Sequence, residues 1–345
     1  MTTNSIPASS NDSGKSTEIS DENPCREDQH PVCSPEECTE SGCFPTEGEN
    51  ETGCPPPLPW KSVVEKVRAE SEPWEHAGHY GILRGRIYGN GSPLYFLKGM
   101  LGNWELFSLT MWLLRDDFCC VVVEDLESKQ PASLDEFAAE VLSFAESQNH
   151  GQINVFATSV GSLLAFHLLA ANPGTFEKAV IHAGMAKLEL SVVERLLVTV
   201  SRMIPGGLSR LPMFQRVQEV NHRCWFPPFD HTRWNFYAEN VGQASVRSLS
   251  RKIRSYRNSQ VASFLPEIQQ PVRLLGTEGE GNQRRLSREH LQDVLPCAST
   301  EVLPNTGLLP YLTHPHRLAN VLRAYFTDIE RSKPQKNDQQ EKTRL

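Results

Sequence analysis

The sequence predicts an α/β protein with a mostly parallel central sheet and helices on both of its faces. Short apolar strand patterns alternate with amphipathic helix patterns along most of the chain, which is typical of strand–helix–strand units. In addition, residues 153–173 contain a buried strand pattern, a tight turn around a serine and a long apolar helix pattern in direct succession. Together these two observations favour the α/β class.

Local patterns assign the elements before residue 150. A helix is predicted over residues 62–69, and strands are predicted within 81–88 and 93–97. Asn90-Gly91 separates these two strands, and this dipeptide between strand patterns predicts a hairpin. The remaining predictions are helices at 106–114 and 133–148, the second capped by Ser133, and a fully buried strand at 118–123.

The second half keeps the alternation but interrupts it once. A strand is predicted at 178–182, after which residues 185–262 show helical, aromatic and basic stretches without strand patterns. The alternation then resumes with strands at 271–275 and 300–303 and helices at 288–294 and 316–329. The interruption therefore indicates an insertion in an otherwise regular α/β domain.

Charge is unevenly distributed along the 345 residues. The formal net charge is -8, yet residues 1–58 alone hold 12 acidic and 2 basic residues, so the rest of the chain is nearly neutral. The first segment is polar, Pro-rich and poor in aliphatic residues, which predicts a disordered acidic tail. We therefore expect a tail at 1–58, a domain at 59–330 with an insertion at about 185–262, and a polar C-terminal tail at 331–345. This charge balance argues against a nucleic-acid partner.

The N-terminus has no apolar segment of the kind found in secretory signals, and no run reaches the roughly 18 apolar residues of a membrane helix. We expect a cytoplasmic protein without a transmembrane segment. Five of the nine cysteines lie in the tail, without a C-x-x-C pair. A tail metal site assisted by His30 is one interpretation, and a cysteine-containing tail without metal is the favoured one. We expect neither a metal nor a cofactor.

The turn after the strand at 153–158 has the form of a nucleophile elbow. Its residues are Ala157-Thr158-Ser159-Val160-Gly161, so Ser159 stands between small residues, with alanine in place of the usual first glycine. Small neighbours are needed because the turn is strained and the strand and the helix pass closely. The pattern predicts Ser159 as a nucleophile.

From about residue 79 to residue 329 the chain resembles the α/β-hydrolase family. The features that carry the resemblance are the Lys98-Gly99 loop, the Glu124-Asp125-Leu126 turn, the elbow at Ser159, an insertion in the place of a helical cap, and the loop at 303–315. The resemblance implies a cofactor-free hydrolase that cleaves an ester or related acyl bond of a small molecule. It also implies that the backbone N–H groups of Val160 and Met100 stabilise the oxyanion.

Two positions depart from the family pattern. The loop that begins with Gly307 has Leu308 where the catalytic histidine is expected, and leucine cannot accept a proton. The expected acid position, counted from the end of the preceding strand, is Gly279, which lies between Glu278 and Glu280. These two glutamates are therefore the acid candidates, whereas Asp125 is interpreted as a turn residue.

Two residues could replace the missing base. His182 is at the end of a predicted strand on the pocket side of the sheet. Lys98 could form a Ser–Lys dyad, or it could be a loop lysine turned to solvent or to a carboxylate such as Glu124.

A finer resemblance is to maspardin-like members of the fold. They share an alanine in the elbow and a glycine-led loop without the histidine, here at residues 305–312. This resemblance implies an interaction role with a protein partner. Two functions therefore stay open: a serine hydrolase acting through Ser159, and a hydrolase-like binding module that has lost turnover.

Two features of the insertion have alternative interpretations. A basic helical face could bind an acidic group, but a solvated face is favoured; its residues are Arg247, Arg251, Lys252, Arg254 and Arg257. A set of aromatic residues could line an acyl pocket or pack within the insertion; they are Trp225, Phe226, Phe229, Trp234 and Phe236.

Overall fold

The computed structural model describes residues 58–327, apart from 129–131, 191, 202, 204–205, 229, 258 and 260. The two predicted tails lie almost entirely outside this part of the chain. Within it, eight strands form one sheet in the order β1-β2-β4-β3-β5-β6-β7-β8. The strands are β1 (Glu72–Ala77), β2 (Ile82–Tyr88), β3 (Ser92–Leu97), β4 (Phe118–Val123), β5 (Ile153–Thr158), β6 (Phe176–His182), β7 (Val272–Thr277) and β8 (Ala298–Leu303).

Every pairing from β4 to β8 is parallel, and only the pairings of β2 with β1 and with β4 are antiparallel. The helices are α1 (Trp60–Glu70), α2 (Ser108–Leu114), α3 (Leu134–Ser147), α4 (Gly161–Ala171), α5 (Val192–Ser201), α6 (Phe214–His222), α7 (His231–Gly242), α8 (Val246–Arg257), α9 (Gly281–Val294), α10 (Pro310–Thr313) and α11 (Pro315–Phe326). The predicted mostly parallel α/β fold is confirmed.

The predicted hairpin between the second and third strands is wrong. Strand β4 lies between β2 and β3, so these two strands do not pair. Asn90 and Gly91 do form part of a turn, and Gly91 has a φ of 117°. The hairpin partner of β2 is instead β1, which the sequence patterns did not reveal. An Asn-Gly signal identifies a turn, whereas pairing is decided by a strand that arrives later in the chain.

Alternating residues of the central strands supply a core on each face of the sheet. Val155 of β5 packs in the core beneath α3 and α4, whereas its neighbour Phe156 packs in the core beneath α2 and α11. Helix α3 begins with the predicted cap, because Ser133 and Glu136 form a reciprocal capping box. The carboxyl ends of the parallel strands therefore meet at one edge of the sheet, held by packing on both faces.

Residues 183–271, between β6 and β7, are called the insertion below. They contribute α5 to α8 and several 3₁₀ turns, one of them at Arg223–Trp225. None of the helices that the structure describes combines the length and the apolar character needed to cross a bilayer.

Candidate functional site

Ser159 occupies the turn between β5 and α4 in a strained backbone conformation. Its φ is 51°, in the left-handed region that costs a non-glycine residue about 1–3 kcal/mol. Three hydrogen bonds hold the turn: the Ser159 N–H donates to the His182 carbonyl oxygen at 2.9 Å, and the Ser162 N–H and hydroxyl donate to the Ser159 carbonyl oxygen at 3.0 and 2.6 Å. A Cβ on Gly161 would lie 2.4 Å from the Leu97 carbonyl oxygen, so the helix can start here only with glycine.

The loop after β3 lies against this turn. A Cβ on Gly99 would lie 3.4 Å from the Ser159 Cβ, so the two segments are in van der Waals contact. Within the described residues, the N–H groups of Met100 and Val160 donate no hydrogen bond, and the Ser159 hydroxyl makes none. The turn therefore combines an unengaged hydroxyl with two unengaged backbone donors.

A cavity of about 200 Å³ opens above Ser159. Its lining includes Met100, His182, His222, Arg284 and Leu308, together with the buried Tyr237 and Tyr311. No Asp or Glu is among the lining residues that the structure describes. The cavity is smaller than the roughly 300–1,000 Å³ of drug-sized ligand pockets, so it suits a short ligand.

His182 lines this cavity, but both of its ring nitrogens are directed elsewhere. Nδ1 lies 3.1 Å from the Leu275 carbonyl oxygen and Nε2 lies 3.2 Å from the Leu308 carbonyl oxygen. Burial lowers the pKa of His182, although both carbonyl oxygens oppose that shift. A neutral imidazole has one N–H, so it can donate to only one of these two carbonyl oxygens at a time. Both ring nitrogens nevertheless face backbone oxygens, so neither presents its lone pair to Ser159. As the base, the residue would have to break one of these contacts.

Lys98 is engaged with carboxylates, as one of its two interpretations expected. Its Nζ lies 3.0 Å from Asp125 Oδ2 and 3.4 Å from Glu124 Oε2, and it donates to the Gly102 carbonyl oxygen at 3.1 Å. Burial would lower the pKa of Lys98, but Asp125 and Glu124 outweigh it and raise the pKa. A charged ammonium has no lone pair, so this arrangement does not provide a base for Ser159. Asp125 is an ion-pair partner in addition to a turn residue.

Neither acid candidate lines the cavity with Ser159. Glu278 Oε2 accepts a hydrogen bond from the Asn305 N–H at 2.6 Å. Glu280, which is 5% exposed, pairs with Arg288 at 2.6 Å. Glu278 thus joins the loop after β7 to the loop after β8, whereas Glu280 is paired with a residue of α9.

Trp225 fills the place where the acid was expected. A Cβ on Gly279 would lie 2.3 Å from Cζ2 of its indole, and a Cβ on Gly307 would lie 2.3 Å from its Cγ. The two glycine loops are also joined directly, because the Gly279 N–H donates to the Thr306 carbonyl oxygen at 3.0 Å. An aromatic side chain from the insertion therefore seals the side of the site that would hold an acid and a histidine.

Sequence reasoning did not identify two residues of the cavity, His222 and Arg284. His222 ends α6 with its ring edge-on to Tyr237, at 5.8 Å between centroids, and its buried Nδ1 has no hydrogen-bond partner. Burial, and then the charge of Arg284, lower the pKa of His222 to about 4. Neither residue belongs to a local pattern that points to chemistry, because both reach the cavity through the tertiary arrangement of the insertion and α9.

One member of the basic helical face is not solvated. Lys252 of α8 points inward, where its Nζ lies 2.5 Å from Asp125 Oδ1 and donates to the Gly99 carbonyl oxygen at 3.1 Å. Burial lowers the pKa of Lys252 to about 8, against the attraction of Asp125. This side chain therefore connects the insertion to the loop that contains Met100.

The aromatic residues of the insertion pack mainly against one another. Phe226, Trp234 and Tyr237 are buried together with ring centroids 5.3 to 5.8 Å apart. Phe236 packs on Trp60, and Phe229 lies outside the described residues. No group of three or more potential metal ligands occurs in the part of the chain that the structure describes.

Solved structures share this fold at low sequence identity. A thermophilic esterase from Thermogutta terrifontis, with malate bound, is 14% identical with a TM-score of 0.61; the match covers 75% of this chain and 99% of that chain. A hydrolase from Pseudomonas aeruginosa is 12% identical with a TM-score of 0.62, covering 74% and 98%. Naproxen esterase from Bacillus subtilis is 12% identical with a TM-score of 0.57, covering 77% and 96%.

Neither a family model nor a curated protein sequence matches the chain. The similarity to the solved structures therefore shows the α/β-hydrolase fold, and the chemistry has to be argued from the residues of this chain.

Proposed function

We propose that the chain is a serine hydrolase that cleaves short carboxylic esters or related acyl bonds at Ser159. The observation that carries the proposal is the strained serine at φ 51°, next to two backbone N–H groups that find no acceptor within the described part of the chain. Strain of this kind persists only where the surrounding structure maintains it, and it concentrates at active sites. The small cavity above the hydroxyl supports a short acyl or alcohol group.

His222 is the proposed base, in place of the histidine that Leu308 replaces. It lines the cavity with Ser159, and it is the lining histidine whose ring makes no hydrogen bond within the described residues. The lowered pKa keeps its imidazole neutral at pH 7, which is the form that can accept a proton. Among the residues that the structure describes, no carboxylate contacts the ring, so proton transfer should be slow.

In the proposed reaction the Ser159 Oγ bonds to the acyl carbon while its proton passes to His222. The developing oxyanion accepts hydrogen bonds from the Met100 and Val160 N–H groups. The bond between the acyl carbon and the alcohol oxygen then breaks, and the imidazolium returns the proton to the departing alkoxide. Water then attacks the acyl-enzyme in the same way and gives its proton to His222. The bond between the acyl carbon and the Ser159 Oγ breaks, and the imidazolium returns the proton to Ser159. Without an orienting acid we expect turnover about 10⁴-fold below that of a complete triad.

The test combines active-site labelling with turnover. A fluorophosphonate probe should label the chain, and Ser159→Ala should abolish the labelling. His222→Gln should lower ester turnover at least about 100-fold, whereas the control His316→Gln should leave it unchanged, because His316 is exposed and does not line the cavity. Turnover that survives Ser159→Ala would refute the nucleophile, and equal turnover in the two histidine variants would refute the base.

A second candidate function is a binding module without turnover, as in the maspardin-like interpretation. Trp225 favours it, because the indole occupies the place of the acid and leaves no space to restore one. In that case a folded chain would show no labelling and no hydrolysis over a broad panel of esters. The partner would then be a small ligand of the cavity or a protein.

A further inference from the structure

The three arginines near the start of α9 have different surroundings. Arg285 pairs with Glu289 at 2.7 Å and also donates to Asn282, and Arg288 pairs with Glu280 at 2.6 Å. Arg284, which directly precedes Arg285 in sequence, lines the cavity with Ser159 and makes no ion pair or hydrogen bond within the described residues. Arg284 is exposed overall, so its contact with the cavity places the side chain at the mouth.

The cavity around this guanidinium has an unbalanced charge. Its described lining includes no Asp or Glu, whereas His222 contributes a ring with an unpartnered Nδ1. The N-terminus of α4, directly after Ser159, adds the positive end of a helix dipole. Partial burial lowers the pKa of Arg284, and the attraction of Glu280 does not offset it. A cation at the mouth of a cavity whose described lining has no carboxylate can pair with an anion that enters the cavity.

We propose that Arg284 and His222 form a subsite that binds a carboxylate, so that the ligand of this cavity is a short acid or an ester that retains one free carboxylate. The inference rests on the proposed function only for the ester; binding of the free acid does not require hydrolysis. One guanidinium matches one carboxylate in a bidentate pair. The cavity volume of about 200 Å³ limits the rest of the ligand to a few carbon atoms.

The subsite also bears on the proposed base. The charge of Arg284 is one of the two causes that lower the pKa of His222. A bound carboxylate would neutralise that charge and make the imidazole a stronger base. A free carboxylate on the substrate would therefore both strengthen its binding and increase the rate of its cleavage.

Binding is tested first, with glutarate and its uncharged analogue glutaramide in isothermal titration. Glutarate should bind, glutaramide should bind at least about 10-fold more weakly, and Arg284→Gln should remove the difference. Arg285→Gln is the matched control, because its guanidinium is adjacent in sequence but is occupied by Glu289 and Asn282. Thermal unfolding of each variant verifies that the fold is intact. Equal binding of the two compounds, or equal loss in both variants, would overturn the subsite.

Turnover is tested second, with monoethyl glutarate and ethyl pentanoate, which have the same acyl length. We expect kcat/KM to favour monoethyl glutarate about 10- to 100-fold, and Arg284→Gln to abolish that preference while Arg284→Lys retains part of it. Arg284-dependent binding of glutarate without cleavage of either ester supports the subsite and contradicts the hydrolase. Equal cleavage of both esters contradicts the subsite and supports the hydrolase. Tighter Arg284-dependent binding of inorganic phosphate than of glutarate would overturn the assignment to a carboxylate.

Discussion

A methyl group at Gly279 should destabilise the fold because of Trp225 alone. Gly279 has a φ of -88° and a ψ of 20°, a conformation that alanine adopts without strain. The added Cβ would nevertheless lie 2.3 and 2.4 Å from two atoms of the indole ring, and such overpacking costs about 1–3 kcal/mol. At about 2–4 °C per kcal/mol for a domain of this size, 2 kcal/mol would lower Tm by about 4–8 °C.

Thermal and urea unfolding followed by circular dichroism measure this effect. The matched control is Gly151→Ala, since no atom lies within 4 Å of a Cβ there. That control should leave stability unchanged or raise it by up to about 1 kcal/mol, because alanine restricts the unfolded chain. In a Trp225→Ala background the penalty of Gly279→Ala should disappear, giving a coupling energy of about 1–3 kcal/mol. If Gly279→Ala unfolds like Gly151→Ala, or if the two substitutions are additive, the indole does not occupy the acid position.

Three further predictions concern the elbow, the base and the insertion. Ser159→Gly should raise Tm by about 2–4 °C relative to Ser159→Ala, because glycine adopts a φ of 51° without strain; equal Tm values would contradict the strain. The pKa of His222 is about 4 in the fold, below the 6.5 of an unperturbed histidine, so the unfolded chain binds more protons between these two values and stability should fall as pH drops from 6.5 to 4. Urea unfolding at pH 7 and pH 4.5 should therefore show a smaller loss of stability in His222→Gln than in the unchanged protein, and an equal loss would contradict this. Lys252→Met should lower kcat more than it changes KM, and it should expose the insertion to proteolysis. The control Arg251→Gln should do neither, because Arg251 makes no ion pair within the described chain.

The sequence predicted the features that depend on local pattern. Strands β4 and β5 are apolar runs, and the elbow needs only small residues around Ser159 and a helix behind it, so these features could be identified from neighbouring residues. The pairing of β2 could not be predicted from neighbouring residues, because β4 lies about thirty residues later in the chain and separates β2 from β3 in the sheet.

The surroundings of the site were predictable only in part. The departure at Leu308 could be seen in the sequence, whereas the residues that occupy the space around it could not. Trp225, His222 and Arg284 reach the cavity from the insertion and α9, and their positions depend on packing over long sequence distances. Local sequence therefore shows what the loops lack, and only the tertiary structure shows what has replaced it.

Lys252 contacts the peptide group that carries one of the proposed oxyanion donors. Its ammonium binds the Gly99 carbonyl oxygen, and the nitrogen of that same peptide unit belongs to Met100. A cation on the oxygen of an amide withdraws electrons from it and makes the attached N–H more acidic, so each bond strengthens the other. The polarisation of the proposed oxyanion donor thus depends on whether α8 is docked. If the insertion swung away to admit a ligand, the N–H of Met100 would weaken, and it would regain its strength only on closure.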